Sequence, residues 1–117
     1  MLQKKYRLRT FKDFKRVFAC GGFVRNNANN IIAAKINKND LLFSRFAFIV
    51  SNKISKSAVK RNKIKRQMRE VVRAKISLIR NGYDIVFIAN PQIVKKKYSD
   101  INEAVEKLLI KSKLLTV

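Results

Sequence analysis

The chain contains no histidine and no tryptophan, and its only cysteine is Cys20. A cysteine–histidine catalytic pair is therefore impossible, and so is a zinc site made of the usual cysteine and histidine ligands. A single cysteine also excludes an internal disulfide bond, so nothing here supports secretion. The seven acidic residues are scattered singly, with no pair placed for two-metal hydrolysis. We therefore expect no catalytic residue, no metal site and no tightly bound cofactor in this chain.

Long apolar runs are also absent. The longest, such as residues 46–50, are far shorter than the roughly 20 residues that span a bilayer. The first ten residues, MLQKKYRLRT, lack the apolar core of a signal peptide. We therefore expect a soluble cytoplasmic protein with no membrane partner.

Positive charge dominates what is present. Lys and Arg number 28 against 7 acids, a net charge of +21 over 117 residues. Self-repulsion of this size destabilises a compact monomer, so the sequence predicts a polyanionic partner, with nucleic acid ahead of an anionic membrane. Apolar residues make up 47% of the chain and include eight Phe, which excludes a disordered basic tail. Length and the lack of repeats or linkers predict one domain, residues 10–117, after a basic N-terminal arm, residues 1–9.

Hydrophobic spacing and turn residues predict the first half of the fold. Thr10 and Asp13 have the spacing of a capping box, and the helix that they open, residues 11–19, stops at the Gly21-Gly22 pair. Strands are expected at residues 23–25, 31–36 and 43–50, with turns at 26–30 and 37–40 between them.

The second half of the chain alternates helix, strand and helix. Apolar residues at helical spacing predict a helix from residue 57 or 58 to about 79: Ile64, Met68, Val71 or Val72, and Ile79. Residues 83–89, YDIVFIA, are almost continuously apolar, which is typical of a strand buried on both faces. A last amphipathic helix begins at residue 99 or 100 and carries Ile101, Val105, Leu108 and Leu109. Together these elements predict an α+β domain.

The long central helix carries an unusual stripe of cations. Four cations spaced four residues apart lie along one edge of the apolar face: Arg61, Lys65, Arg69 and Arg73. Asn62 and Arg66 widen this stripe on its outer side. Like charges at this spacing cost an isolated helix a few tenths of a kcal/mol per pair, so helix stability does not explain them. A solvated face is the plain alternative. A phosphate backbone explains the stripe better, because neutralised phosphates release counterions and arginine forks match phosphate oxygens.

The order of these residues adds information beyond their charge. The run SNKISKSAVKRNKIKRQMRE resembles the R-N-x-x-K-R motif of the protein subunit of bacterial ribonuclease P, with Arg61, Asn62, Lys65 and Arg66 matching. Lys63 stands where that family commonly has Arg. Upstream, RLRTFKDFKRVFACG is similar to the family's opening motif, and downstream YDIVFIANP is similar to its hydrophobic run ending in a small residue and Pro. The three ordered matches cover about residues 7–115.

This resemblance implies a fold and a function. The fold would be an α-β-β-β-α-β-α sandwich with a central four-stranded sheet and a left-handed βαβ crossover. The family's RNA subunit, using Mg²⁺, cleaves the 5′ leader from precursor tRNA. This chain would then be a non-catalytic subunit of an endoribonuclease, with ribonuclease P RNA and precursor tRNA as partners and no DNA.

The resemblance also implies two sets of site residues. The first set would contact the catalytic RNA: Arg61, Asn62, Lys63, Lys65, Arg66, Arg69 and Arg73. The second would line a cleft for the single-stranded leader: Phe14, Phe18, Ile32, Lys53 and Lys56. Ordinary core packing is the alternative for the two Phe residues, although Phe11 and Val17 are better core candidates.

Three other functions compete with this interpretation. A ribosomal protein that binds structural RNA has the same composition, and only the motif order argues against it. A helix-turn-helix DNA-binding protein is disfavoured because the segment before the central helix is predicted to be a strand. A membrane-surface helix is disfavoured because the apolar face of the central helix lacks Trp and Phe.

Overall fold

The computed structural model describes residues 3–25 and 31–115. Within these ranges the helices and strands follow the predicted order: α1 (Phe11–Cys20), β1 (Gly22–Arg25), β2 (Ile32–Lys38), β3 (Arg45–Ile49), α2 (Ala58–Lys75), β4 (Tyr83–Ala89) and α3 (Tyr98–Lys111). Two short 3₁₀ turns accompany them, Lys4–Tyr6 and Pro91–Lys95. The α+β class is confirmed. The turn predicted at residues 26–30 lies outside the described residues.

The four strands form one sheet in the order β1-β2-β4-β3. Strand β2 pairs antiparallel with both β1 and β4, whereas β3 pairs parallel with β4, placing Phe48 opposite Phe87. Helix α2 is therefore the crossover between two neighbouring parallel strands. The left hand of that crossover stays a prediction of the resemblance.

The sheet is covered on both faces. On one, which we call the α2 face, helices α2 and α3 pack on strand residues such as Phe46 and Phe87 and build the larger core. On the other, the α1 face, a smaller cluster forms around fully buried Val17 and Val86. The layers are thus α1, sheet, and the α2–α3 pair, which confirms the predicted sandwich.

Polar residues begin the first two long helices where the sequence predicts. The Thr10 hydroxyl accepts from the amide of Asp13 at 3.2 Å, and the Ser57 hydroxyl accepts from that of Lys60 at 3.3 Å. Each bond satisfies one amide that the first turn of a helix leaves unpaired.

Helix α2 ends at Lys75, four residues before the predicted end. Ile79 is buried as its spacing predicts, but it forms an antiparallel β-bridge with Leu115, and the amide of Arg80 donates to the Leu114 carbonyl at 2.8 Å. Backbone pairing with the C-terminal segment thus replaces the last helical turn. The prediction that Phe11 is a core residue is wrong, since its side chain is 81% exposed.

The described part of the predicted N-terminal arm lies against the sheet. Leu8 is buried, its amide donates to the Phe46 carbonyl at 2.8 Å, and Tyr6 makes an edge-to-face contact with Phe43. Residues 3–9 therefore extend the domain along the outer edge of β3. Among the described helices, none has the length and apolarity that a membrane span requires.

Candidate nucleic-acid interface

The cations of α2 occupy two flanks of the helix. On the flank nearest β3, half-buried Arg61, Lys65 and Arg69 border the core positions, and Asn62 and Arg66 continue outward from them. Lys63 lies on the opposite flank, in a groove shared with Lys60 and Lys96. The helix thus offers two separate basic surfaces.

The loop before α2 joins the first of these surfaces. The Arg61 guanidinium donates to the Ser55 carbonyl at 2.8 Å, which fixes the arginine against the loop. Lys53 and Lys56 then line the same hollow as Arg61. The two loop lysines and the start of the arginine stripe therefore form one continuous basic surface.

At the far end of the stripe, one arginine is engaged by an acid. Arg73 donates to the Glu70 carboxylate at 2.9 Å, and this hydrogen bond holds the pKa of Glu70 below its ordinary value. Glu70 also borders the hollow formed by Asn62, Arg66 and Arg69. Glu70 therefore offsets part of the positive charge at this end of the stripe.

A groove at the edge of β3 brings α1 and α2 together. This β3-edge groove is lined by Arg7 and Arg9 of the N-terminal segment, Phe14 of α1, and Lys65 and Arg69 of α2. Phe14 is half-buried: it packs against the smaller core cluster that contains Val17 and Val86, and it also lines the groove. Phe14 thus shares one groove with four cations.

Two further aromatic residues lie on the α1 side of the molecule. Phe18, one helical turn after Phe14, is 41% exposed, and Phe23 on β1 is 55% exposed. Phe23 pairs with Lys35, whose neighbours along β2 face the larger core, so Phe23 and Lys35 share the α1 face. The Lys35 Nζ atom lies 6.0 Å from the centre of the Phe23 ring.

A network of charged hydrogen bonds fixes α1 to the sheet. Arg45 on β3 donates twice to the fully buried Asp84 carboxylate on β4, both at 2.9 Å, and also to Asp13 on α1 at 3.0 Å. Arg16 donates to both carboxylates as well. The bonds to Asp84 raise the pKa of Arg45. The bond from the Thr10 hydroxyl, followed by that from Arg45, lowers the pKa of Asp13.

The described residues contain no group of three or more His, Cys, Asp or Glu side chains that could hold a metal ion. Asp84, the buried acid of the described residues, is bound to two arginines and an asparagine rather than open to a ligand. What the arrangement offers is cationic and aromatic surface, and such surfaces can attract phosphate groups and stack bases.

Comparison with known proteins decides the family. The sequence model of the Ribonuclease P family matches residues 2–113. The chain belongs to the ribonuclease P protein family. The ribonuclease P protein component of Caldanaerobacter subterraneus subsp. tengcongensis is 39% identical over 114 residues, which cover 97% of this chain and 95% of that protein.

Solved structures of ribonuclease P proteins have the same fold. A mutant from Staphylococcus aureus superposes with a TM-score of 0.86 at 30% identity, covering 96% of this chain and 92% of that one. The protein from Thermotoga maritima gives a TM-score of 0.80 at 29% identity, covering 90% of this chain and 96% of that one. The fold implied by the sequence resemblance is therefore shown by structures as well.

Within this ribonuclease P protein, the assignment of Ile32 to the leader cleft is wrong. Ile32 is fully buried in the core on the α2 face, because alternate residues of a strand point to opposite faces. Its neighbour Ala33 turns to the α1 face instead, and alanine has no ring to offer.

The residues predicted to bind RNA thus fall into separate groups in the structure. The structure brings together Phe14, Lys65 and Arg69 at the β3 edge, and Lys53, Lys56 and Arg61 at the loop. It separates Lys63 from the other α2 cations that were predicted to bind the catalytic RNA, and places it beside Lys60. Sequence reasoning missed Phe23 and Lys35; strand alternation points to them once the register of β1 against β2 is known.

Proposed function

We propose that this chain is the RNA-binding, non-catalytic subunit of ribonuclease P, and that it assists the RNA subunit in removing the 5′ leader from precursor tRNA. The observation that supports this best is the β3-edge groove. There the ring of Phe14 lies beside Lys65 and Arg69, so surfaces for a single-stranded base and for a phosphate backbone meet. Relatives that match nearly the whole chain carry the name ribonuclease P protein component.

The catalytic RNA would contact the stripe on α2. Arg66 and Asn62 are exposed, while Arg61, Lys65 and Arg69 are held half-buried beside the sheet. Arginine forks pair with two phosphate oxygens, and an asparagine donates and accepts at once, which suits a ribose or a base. The cost of like charges four residues apart is then offset by the RNA that they bind.

The single-stranded leader would cross the α1 face. Its bases would stack on the rings of Phe14 and Phe18. Phe23, on the neighbouring strand β1, would supply a third ring, because Ala33 of β2 has none. Exposed aromatic rings stack bases at about 1–3 kcal/mol each. Lys35 beside Phe23, and Lys53 and Lys56 on the loop, would hold the phosphates.

The chemistry itself would belong to the RNA subunit and its Mg²⁺ ions. This chain would raise the affinity for precursor tRNA and let the RNA work at lower Mg²⁺ by neutralising phosphate charge. We place the complex in the cytoplasm. No role for DNA follows from the surface.

The deciding experiment is cleavage of precursor tRNA by the cognate ribonuclease P RNA at low Mg²⁺, with and without the protein. We expect the protein to restore cleavage at the mature 5′ end. Absence of stimulation, together with tight binding to ribosomal RNA, would replace the proposal with the ribosomal alternative.

Two classes of variant separate the two surfaces. Arg66→Ala should weaken binding to the catalytic RNA and reduce the slope of log affinity against log salt by about 0.7–0.9, the share of one phosphate contact.

Phe18→Ala and Phe23→Ala should leave that binding unchanged but weaken binding of precursors with long leaders. Leu42→Ala is the matched control, because Leu42 is an exposed apolar residue in the β2–β3 turn. If Phe23→Ala behaves like Leu42→Ala, Phe23 does not line the leader path.

A further inference from the structure

The second basic surface of α2 is a groove on the flank that faces α3. Lys60 and Lys63 form one rim, and Lys96, in the connection between β4 and α3, forms the other. The floor is apolar, since Ile64 and Ile93 are buried beneath it in the core of the α2 face. We call this the lysine groove.

The charge of the lysines in this groove is not balanced by any of the described acids. Within residues 3–25 and 31–115, no carboxylate lies at ion-pair distance from Lys60, Lys63 or Lys96. The three acids of neighbouring α3 are engaged elsewhere: Asp100 accepts from the backbone amide of Lys97 at 3.0 Å, Glu103 pairs with Lys107 at 2.7 Å, and Glu106 pairs with Lys75 at 3.8 Å. Exposed Lys95 and Lys97 flank the rim and add to the repulsion. A polyanion would relieve this charge.

The location of the groove selects among RNA partners. It lies on the α2 face, whereas the leader would cross the α1 face on the other side of the sheet. On the solvent side of α2, exposed Lys63 of the groove lies about one helical turn before exposed Arg66 of the arginine stripe. A structured RNA bound to the stripe can therefore reach the groove, but a leader strand held at Phe14 and Phe18 cannot.

We propose that the lysine groove is a second binding site for the phosphate backbone of the catalytic RNA, so that this RNA holds α2 from both flanks. The inference rests on the proposed function and names a further contact of the same partner. Lysine offers a point charge without the fork that reads a base edge, so the contact is independent of sequence and strongly dependent on salt.

The test uses the full chain carrying Lys60→Gln and Lys96→Gln together, one change on each rim. The control carries Lys38→Gln and Lys113→Gln, which removes the same net charge at exposed positions outside the groove. Affinity for the catalytic RNA is measured by filter binding over a series of potassium chloride concentrations. We expect the slope for the groove variant to be about 1.4–1.8 less steep than that for the control, equivalent to two phosphates. The variant Lys60→Arg/Lys96→Arg should restore the slope.

Three other outcomes are informative. Equal slopes for the groove variant and the control would overturn the second site while leaving the proposed function intact. A loss confined to precursors with long leaders would also overturn it, because the groove would then serve the leader. If the unchanged protein fails to bind the catalytic RNA, the proposed function fails first. Both lysines are exposed, so urea unfolding should show unchanged stability in all variants.

Discussion

Asp84 is a fully buried carboxylate, and its charge is balanced by the side chains of Arg45 and Arg16. Removing one partner of a buried pair leaves a charge without solvation or compensation. We expect Arg45→Ala to lower the free energy of unfolding by about 3 kcal/mol, measured by urea denaturation. Lys107→Ala, which breaks the exposed pair with Glu103, should cost less than about 1 kcal/mol. A similar cost for both would mean that Arg16 alone can balance Asp84.

Asp13 links the stability of α1 to pH. Its pKa lies below the ordinary value of 3.8, chiefly because of the hydrogen bond from the Thr10 hydroxyl and then that from Arg45. A carboxylate with a lowered pKa stabilises the folded state above its unfolded pKa, and this contribution is lost as the pH falls through the folded pKa. We expect Asp13→Asn to be less stable than the parent at pH 7, with the difference shrinking below about pH 4. Thermal unfolding at several pH values measures this, and a constant difference would contradict it.

At the residue scale, the sequence predicted interactions between residues close together in the chain but not those between residues far apart in it. Thr10 and Asp13 were predicted to begin α1, since their spacing is a local signal. The bond from Arg45 to Asp13 spans 32 positions, and only the folded sheet brings the two residues together. Phe11 was placed in the core on its residue type, yet the helix turns it to solvent.

At the scale of elements, the junction of α1 and β1 depends on one of two adjacent glycines. A Cβ atom on Gly21 would collide with the Val17 carbonyl and lie 3.0 Å from the Ile36 carbonyl, both of them backbone atoms. A Cβ atom on Gly22 would meet nothing within 4 Å. We expect Gly21→Ala to cost about 1–3 kcal/mol of unfolding free energy. Gly22→Ala should change it by less than about 0.5 kcal/mol. Equal effects in urea denaturation would show that the junction relaxes freely.

The order of elements follows from periodicity, but the direction of side chains in a strand does not. Residues 31–34 read IIAA, so the sequence has no polar alternation that would show which members face α1. A shift of one residue exchanges the two faces of a strand. For this reason Ile32, rather than Ala33, was assigned to the leader cleft from the sequence. The end of α2 was missed for a related reason: Ile79 is apolar at helical spacing, but the partner that pairs with it is Leu115.

At the scale of the whole molecule, the net charge of +21 opposes folding and favours binding. Added salt screens repulsion between the exposed lysines and arginines, so we expect the midpoint of urea unfolding to rise with sodium chloride concentration. Affinity for RNA should fall over the same range, because counterion release becomes less favourable. The two measurements should therefore change in opposite directions. An unfolding midpoint that falls with salt would mean that ion pairs outweigh the repulsion.

Sheet order also belongs to this scale, and local sequence signals do not determine it. The insertion of β4 between β2 and β3 joins strands that are far apart in the chain, with Ile32 opposite Ala89. The family resemblance implied a four-stranded sheet, but the order of its strands was not predicted.

The N-terminal segment covers the outer edge of β3, where Leu8 donates to the Phe46 carbonyl and Arg7 forms a parallel bridge with the same residue. An uncovered strand edge exposes unpaired backbone groups that pair with other molecules and promote aggregation. Deleting residues 1–9 would therefore do more than remove cations: it would free a strand containing two phenylalanines. The truncated protein should form oligomers at concentrations where the intact protein is monomeric, as size-exclusion chromatography would show.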